Sequence, residues 1–282
     1  MRKLVFSTLV CCWIAFTSIQ AQIATPQPSP GASISQRVGL VDVKVDYSRP
    51  SLRGRKLFGE VREYGKVWRT GANQATKITF SDDVTLNGSK VPAGEYALLS
   101  IPTAQEWTII LSKDLKTTEQ SYKQENDVVR FVAKPTALPA KVETFTIDFS
   151  DLTTNGGNLN ICWENVKTSI KIETDVDKKV MAQIKEKVID NPTPAAGDLF
   201  AAAVYYLDNN RDLPQALTWM NKATETNPQF WQLHQKAKLQ AKLKDYKGAT
   251  ESAKKSIELA KAASNNDYVK MNEKLLAEMP KK

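Results

Sequence analysis

The spacing of apolar residues in this chain changes near residue 175. Before that point short runs alternate, as in Val41, Val43 and Val45, which are separated by charged residues. Beyond it, apolar residues recur every three or four positions. A period of two is typical of strands with one buried face, whereas a period near 3.6 is typical of amphipathic helices. The sequence therefore predicts an α+β protein, with a β domain over residues 37–174 and helices after it.

Turn residues divide the first region into many short strands. Asn87-Gly88 lies between two alternating runs and favours a tight hairpin, because such a turn needs positive φ. Pro92-Ala93-Gly94 and Asn155-Gly156-Gly157 each introduce another strand, and Glu164-Asn165 joins two strands by a second tight turn. Many short strands separated by turns are typical of an antiparallel β-sandwich, here of jelly-roll type.

The first 21 residues have the features of a secretory signal peptide. Two basic residues, Arg2 and Lys3, precede the apolar run Leu4–Phe16, and Ala21 ends a passable cleavage site. The run is shorter than the about 20 residues that a membrane-spanning helix needs. We therefore expect an exported protein, periplasmic or secreted, with no transmembrane segment. Residues 22–36, which contain three prolines, are predicted to form a flexible tether.

Charge and cysteine content exclude several classes of function. The formal net charge is +8, but both signs are interleaved, as in Lys185-Glu186-Lys187. Since nucleic-acid binding usually shows a basic stripe with aromatic residues, we predict no nucleic-acid partner. Once the signal peptide is removed, Cys162 is the only cysteine. We expect it to be a small apolar filler rather than a nucleophile, because the only histidine, His234, lies in the other domain.

The region after residue 175 divides into a linker helix and a helical domain. Four aliphatic residues spaced four apart, beginning at Val176, mark one face of a helix over residues 175–191. The helical domain is predicted over residues 195–282. Within it, the pattern of an aspartate followed four residues later by an alanine occurs at Asp212–Ala216 and again at Asp245–Ala249, an offset of 33 residues. This repeat resembles the tetratricopeptide repeat, whose unit has about 34 residues. The last helix is expected to cap the array.

The resemblance to tetratricopeptide repeats implies a groove that holds a protein or peptide partner. Tyr205, Trp231 and His234 are the candidate residues for that groove. The same aromatic residues have the periodicity of a core between paired helices, which is the alternative. His234 has an equally ordinary alternative as a packing or surface residue.

The densest run of glycines, arginines and aromatic residues lies between positions 47 and 76. Its motifs, with two more that follow in order, are Tyr47-Ser-Arg49-Pro50, Gly54-Arg55-Lys-Leu-Phe58-Gly59, Tyr64-Gly-Lys-Val-Trp68-Arg69-Thr-Gly71-Ala-Asn73, Pro92-Ala-Gly-Glu-Tyr96 and Glu106-Trp107-Thr108. Together they resemble the family catalogued as domain of unknown function 2911, found in exported bacterial proteins. The resemblance covers about residues 37–174 and implies a fold but no activity.

Six residues of these motifs are candidates for a ligand site: Tyr47, Arg49, Arg55, Trp68, Arg69 and Asn73. Guanidinium groups bind carboxylate or phosphate at two points, aromatic rings offer flat faces, and an amide both donates and accepts. The alternative is loop architecture, in which the arginines tie down loops and Trp68 belongs to the core. With a single histidine in the chain, no metal site and no cofactor are predicted.

Two functions remain open. The preferred one is a binding or interaction module of the cell envelope, with a small anionic ligand or glycan on the sandwich and a protein partner on the helices. The alternative is a hydrolase acting on a sugar or ester, with Arg49, Arg69 and Asn73 beside a carboxylate. Arginines that converge on an open cleft beside a carboxylate favour the hydrolase, whereas arginines saturated by backbone carbonyls disfavour it.

Overall fold

The computed structural model describes residues 25–280. The predicted signal peptide and residues 22–24 of the predicted tether lie outside these residues. Contacts divide the chain between Thr174 and Asp175. We call residues 25–174 the β unit and residues 175–280 the helical unit. The prediction of a mixed chain, with antiparallel sheets first and helices after them, is confirmed.

Within the described residues, the β unit contains ten strands in two antiparallel sheets. The strands are β1 (Gly31–Val38), β2 (Val41–Ser48), β3 (Thr76–Phe80), β4 (Val84–Leu86), β5 (Ser89–Val91), β6 (Gly94–Pro102), β7 (Trp107–Ser112), β8 (Asp127–Ala133), β9 (Pro135–Ser150) and β10 (Gly156–Glu173). Six strands form one sheet in the order β1-β2-β3-β6-β7-β8. The other four form a sheet in the order β5-β4-β10-β9.

Both sheets contribute side chains to one buried core. The alternation of apolar and charged residues in β2 places one face of the strand in the core: Val43 is fully buried, while its two charged neighbours in sequence are exposed. The same core cluster contains Ile78 from the six-stranded sheet and Phe145 and Trp163 from the four-stranded sheet. Aromatic side chains bury about 150–250 Å² each, so these rings supply much of the apolar area of the core.

Strand β10 doubles back on itself at Glu164. The Ser169 hydroxyl donates to the side-chain oxygen of Asn160 at 2.7 Å, and the Thr174 amide donates to the Asn155 carbonyl at 2.8 Å. A straight strand would separate the first pair by about 30 Å. Glu164 itself has φ of 52°. The tight turn predicted at Glu164-Asn165 therefore agrees with the observed reversal.

The prediction of a flexible tether over residues 22–36 is wrong for residues 31–36. Residues from Gly31 onward form β1, the edge strand that pairs with β2. Ala32 and Ile34 are partly buried against the core, and Ser33 and Ser35 alternate with them. The small side chains of this strand have the low hydrophobicity of a linker, and that composition concealed the period of two.

In its described part, the helical unit consists of six α-helices. They are α1 (Val176–Ile184), α2 (Ala196–Asp208), α3 (Leu213–Ala223), α4 (Phe230–Lys242), α5 (Tyr246–Ala262) and α6 (Asn266–Glu278), and a π-helical turn at Lys185–Ile189 continues α1. Asp212 and Asp245 are the N-cap residues of α3 and α5, since each carboxylate accepts a hydrogen bond from the backbone N–H three residues later. None of the helices over residues 25–280 has the length and apolar character to cross a bilayer.

Candidate functional site

Two of the six candidate ligand residues, Tyr47 and Trp68, are buried in the core. The Tyr47 hydroxyl donates to the Ile147 carbonyl at 3.3 Å and accepts from the Ile147 amide at 3.2 Å, so its polar group is fully used. Trp68 is 1% exposed, its ring stacks on Trp163, and its indole N–H donates to the Gly71 carbonyl at 2.9 Å. Both aromatic rings are therefore used mainly in packing the core.

Arg49 and Arg55 are held by the backbone of their surroundings. Arg49 donates to the Phe145 carbonyl at 3.0 Å and to the Thr146 hydroxyl at 2.8 Å, and thereby joins the end of β2 to β9. Arg55 donates to the Leu52 carbonyl at 2.9 Å within its own loop. Both guanidinium groups thus act as loop ties, as the alternative interpretation of the motifs predicts.

Asn73 and Arg69 fix the loop before β3. Arg69 donates to the Asn73 backbone carbonyl, and the Asn73 amide donates to the Ser29 carbonyl at 3.1 Å and the Ser48 hydroxyl at 3.2 Å. Asn73 adopts φ of 60°, a conformation that asparagine tolerates better than most residues. Nearby, Gly71 has φ of 158°, and a Cβ there would lie 3.1 Å from the Ser48 carbonyl oxygen.

A cluster that sequence reasoning missed lies beside Arg69. Glu119 accepts from Arg62 at 3.0 Å and from Arg69 at 3.3 Å, so one carboxylate holds two guanidinium groups. The guanidinium carbon of Arg62 also lies 5.5 Å from the centre of the Trp68 ring. Glu119 is 57 residues from Arg62 in sequence, and no local pattern connects two such distant loops.

A cleft of about 510 Å³ opens beside this cluster. Its lining residues are Val61, Arg62, Glu63, Gly65, Lys66, Val67, Trp68, Glu119 and Gln120. Burial lowers the pKa of Arg62, although the Glu119 carboxylate opposes this shift. The Arg62 Nε atom is buried and has no hydrogen-bond partner among the described residues. The side chains of Lys66 and Glu63 are exposed, and neither forms an ion pair with another described residue. Both charges therefore remain available to a ligand.

The carboxylates of the β unit are dispersed. The Glu164 side chain accepts from the Leu57 amide at 3.3 Å, and Glu95 lies 4.0 Å from Lys77 on the six-stranded sheet. No group of three or more potential metal ligands is found over residues 25–280. Burial also raises the pKa of the Cys162 thiol to about 11, which leaves it protonated and poorly nucleophilic at neutral pH.

The three candidate residues of the helical unit have different environments. The Tyr205 hydroxyl donates to Asp177 of α1 at 2.7 Å, and burial together with this carboxylate raises its pKa to about 12. His234 is 5% exposed and lies among α4, α5 and α6, whereas Trp231 is 40% exposed. Of the three side chains, that of Trp231 is the most exposed to solvent.

His234 belongs to a buried chain of hydrogen bonds. Its Nδ1 lies 2.9 Å from the side-chain oxygen of Asn272. The Asn272 amide donates to the Ser256 hydroxyl at 2.8 Å, and that hydroxyl donates to the Phe230 carbonyl at 2.6 Å. Because the asparagine oxygen is an acceptor, His234 Nδ1 carries the proton in this arrangement.

We expect the helical unit to lose stability as the pH falls below about 6.5. Burial, the largest cause, lowers the pKa of His234, with a smaller contribution from Lys238 and an opposing one from Asn272. The unfolded chain then binds a proton that the folded chain resists, so the free energy of unfolding rises with pH by at most about 1.4 kcal/mol per pH unit. Urea unfolding between pH 5 and 8 measures this slope, which His234→Gln should flatten between pH 5.5 and 7. An unchanged slope would contradict the assignment.

The comparisons with known proteins define a family for the β unit. A family model described as a protein of unknown function, DUF2911, matches residues 29–172. No curated protein and no solved structure matches the chain. The matched residues include the motif segment from Tyr47 to Asn73 and both sheets. Since the match covers just over half of the 282 residues, this chain belongs to the DUF2911 family.

Proposed function

We propose that this protein is exported and that its β unit binds a small polar ligand in the cleft beside Arg62 and Glu119. The observation that carries the proposal is the cleft of about 510 Å³, whose lining includes Lys66 and Glu63, two charged groups without an ion pair among residues 25–280. In the lining, Arg62 and Lys66 balance Glu63 and Glu119, and Arg69, which is outside the lining but pairs with Glu119, adds one positive charge. The excess favours a ligand with a single negative charge, such as a sugar acid or another small hydroxylated carboxylate.

The loops that form the cleft have a rigid support in this proposal. A β-sandwich of jelly-roll type is favoured by the shared core, in which rings from both sheets meet: Trp68 lies 5.2 Å from Phe145 and 5.8 Å from Trp163 between centroids. Trp68 also bridges to Ser100 of β6 through two backbone hydrogen bonds of 2.7 and 2.9 Å. Binding residues on loops held by such a scaffold keep a fixed geometry.

A hydrolase is less favoured by the same contacts. Arg49 and Arg69 each donate to a backbone carbonyl, and arginines engaged in this way are less available to a substrate. The carboxylate that pairs with Arg69, Glu119, is also held by Arg62. Both of its carboxylate oxygens therefore already accept hydrogen bonds from protein donors.

Thermal unfolding of the mature chain, residues 22–282, with a panel of sugar acids, neutral sugars, acetate and phosphate tests the ligand proposal. A carboxylated sugar should raise the melting temperature, since a ligand that binds only the folded state stabilises it. Lys66→Ala should weaken binding about tenfold. The matched control is Lys90→Ala, an exposed lysine on β5, which should bind as the parent does. A panel without any stabilising ligand, or equal binding by both variants, would refute the proposal.

For the helical unit we propose a tetratricopeptide-like array that holds a protein partner. Positions related by the 33-residue offset have similar environments: Ala216 and Ala249 are both 0% exposed, and Ala223 and Ser256 are 5% and 0% exposed. Small buried residues at such positions let paired helices pack closely. These equivalences support two repeats followed by α6.

A groove of about 350 Å³ among α2, α4 and α6 is the proposed partner surface. Its lining residues are Leu207, Asp208, Lys238, Lys242 and Leu275. Trp231 lies on the same face of α4 as Lys238 by helical spacing. Affinity purification from envelope extract should enrich a specific protein, and Trp231→Ala should lose it while Lys247→Ala retains it. A set of captured proteins that is identical for both variants would refute the groove.

Export is the third element of the proposal and has its own test. The signal-like residues before Gln22 predict that the chain is cleaved there and released from the cytoplasm. Cell fractionation together with the intact mass of the purified protein measures this directly. A cytoplasmic chain that retains Met1 or Arg2 would show that the segment is not a signal peptide.

A further inference from the structure

Three consecutive carbonyl groups ahead of β1 are each held by a different donor of the β unit. The Arg53 guanidinium donates to the Pro28 carbonyl at 3.1 Å, and the Asn73 amide donates to the Ser29 carbonyl at 3.1 Å. The Arg49 backbone N–H donates to the Pro30 carbonyl at 2.9 Å, which extends the β1–β2 ladder by one residue. All three donors belong to the loops and strand end that carry the family motifs.

The held segment has a sequence suited to this kind of recognition. Prolines stand at positions 26, 28 and 30, so their rings fix φ at these positions. Each intervening residue precedes a proline and is restricted to extended conformations. Such a segment loses little conformational entropy when it binds. Because proline has no N–H, the segment offers mainly carbonyl oxygens, and these are the atoms that Arg53, Asn73 and Arg49 engage.

The loops that hold the segment have contacts of their own. A cavity of about 330 Å³ is lined jointly by the segment, at Gln27 and Pro28, and by the β unit, at Ser48, Asn73 and Gln74. The Asn73 amide is oriented by a second bond to the Ser48 hydroxyl, and its loop is fixed by the bond from Arg69 to the Asn73 carbonyl. The donors are therefore positioned by contacts within the β unit as well as by the segment.

We propose that Arg53, Asn73 and the end of β2 at Ser48 and Arg49 form a binding site for a proline-rich peptide, which residues 28–30 of the same chain occupy in cis. We call this surface the proline site. It goes beyond the proposed small-ligand cleft, which has other lining residues. A tethered segment has an effective concentration in the millimolar range. A second proline-rich peptide therefore binds in trans only after the chain's own segment is weakened.

The test uses the mature chain with Pro26→Gly, Pro28→Gly and Pro30→Gly, which keeps the length of the segment but removes its preorganisation. The probe is a fluorescein-labelled peptide of the sequence Thr-Pro-Gln-Pro-Ser-Pro, followed by anisotropy up to millimolar protein concentrations. We expect the triple variant to bind this peptide at least tenfold more tightly than the parent chain does, because the competing cis segment is weakened. A peptide with glycine in place of each proline serves as the control ligand and should not bind.

Two further substitutions in the triple variant test the site. Asn73→Gly removes the amide while retaining a residue that accepts positive φ, and Arg53→Gln removes the guanidinium. Each should weaken peptide binding about fivefold, as expected for one lost hydrogen bond. Circular dichroism and the melting temperature establish that both variants are folded. The proposal is overturned if the triple variant does not bind the peptide, or if it binds equally well with and without the Asn73 amide.

Discussion

Trp68→Ala should lower the free energy of unfolding of the β unit by about 3–5 kcal/mol, in the range found for buried tryptophan. The indole is 1% exposed and is surrounded by the rings of Trp163, Phe145 and Trp107 at centroid distances of 5.8, 5.2 and 6.0 Å. Its removal leaves a cavity at the junction of the two sheets and takes the indole N–H from the Gly71 carbonyl, which keeps only a 3.4 Å hydrogen bond from Arg62. Urea unfolding followed by far-ultraviolet circular dichroism measures the loss.

The matched control for this substitution is Trp231→Ala. Trp231 is 40% exposed on α4, so its truncation should cost the helical unit less than about 1.5 kcal/mol. The two variants remove the same group from a buried and a half-exposed setting. A cost for Trp68→Ala no larger than that of the control would show that Trp68 is not a core residue, and would restore it as a candidate ligand contact.

Glu119→Gln should destabilise the β unit by about 2–3 kcal/mol. The substitution leaves the guanidinium groups of Arg62 and Arg69 without their counter-charge while their side chains are only 24% and 19% exposed. Removal of one partner from a fully buried ion pair costs about 3–5 kcal/mol, and partial exposure reduces that figure. Chemical denaturation of the mature chain measures the difference, and a second readout is the loss of ligand binding in the cleft.

A surface ion pair supplies the control for Glu119. Glu125 lies 3.9 Å from Lys123, and both side chains are about 70% exposed. Glu125→Gln should therefore change the free energy of unfolding by less than about 0.5 kcal/mol, because water screens such pairs. If Glu119→Gln cost no more than Glu125→Gln, the triad of Arg62, Glu119 and Arg69 would have no role in holding the two loops together.

Much of the fold follows from local patterns in the sequence. The change from strands to helices near residue 175 was predictable because the signals of a helix are local, as at Asp212 and Asp245, where a capping carboxylate precedes each apolar run. The turn at Glu164 was predictable for the same reason. Strand β1 was not, since its alternation involves small side chains and its burial depends on a core formed by distant residues.

The candidate site was predictable only in part. Aromatic residues and arginines serve equally well in a ligand pocket and in a loop tie, so the motifs alone did not distinguish between the two. Arg49 donates to a carbonyl 96 residues away, and Arg62 pairs with a carboxylate 57 residues away. Such partners are determined by the packing of the two sheets. Residue type therefore indicated a segment rich in polar contacts, but not which of its side chains face solvent.

The reversal within β10 bears on the order in which the β unit acquires its structure. Its two arms meet through contacts between residues 9 and 19 positions apart, whereas the ties of Arg49 to β9 span 96 and 97 positions. Short loops close at a smaller entropic cost than long ones. We therefore expect the β10 hairpin to form early and the motif loops to dock late. Substitutions at Arg49 should mainly accelerate unfolding, while those in the hairpin should slow folding.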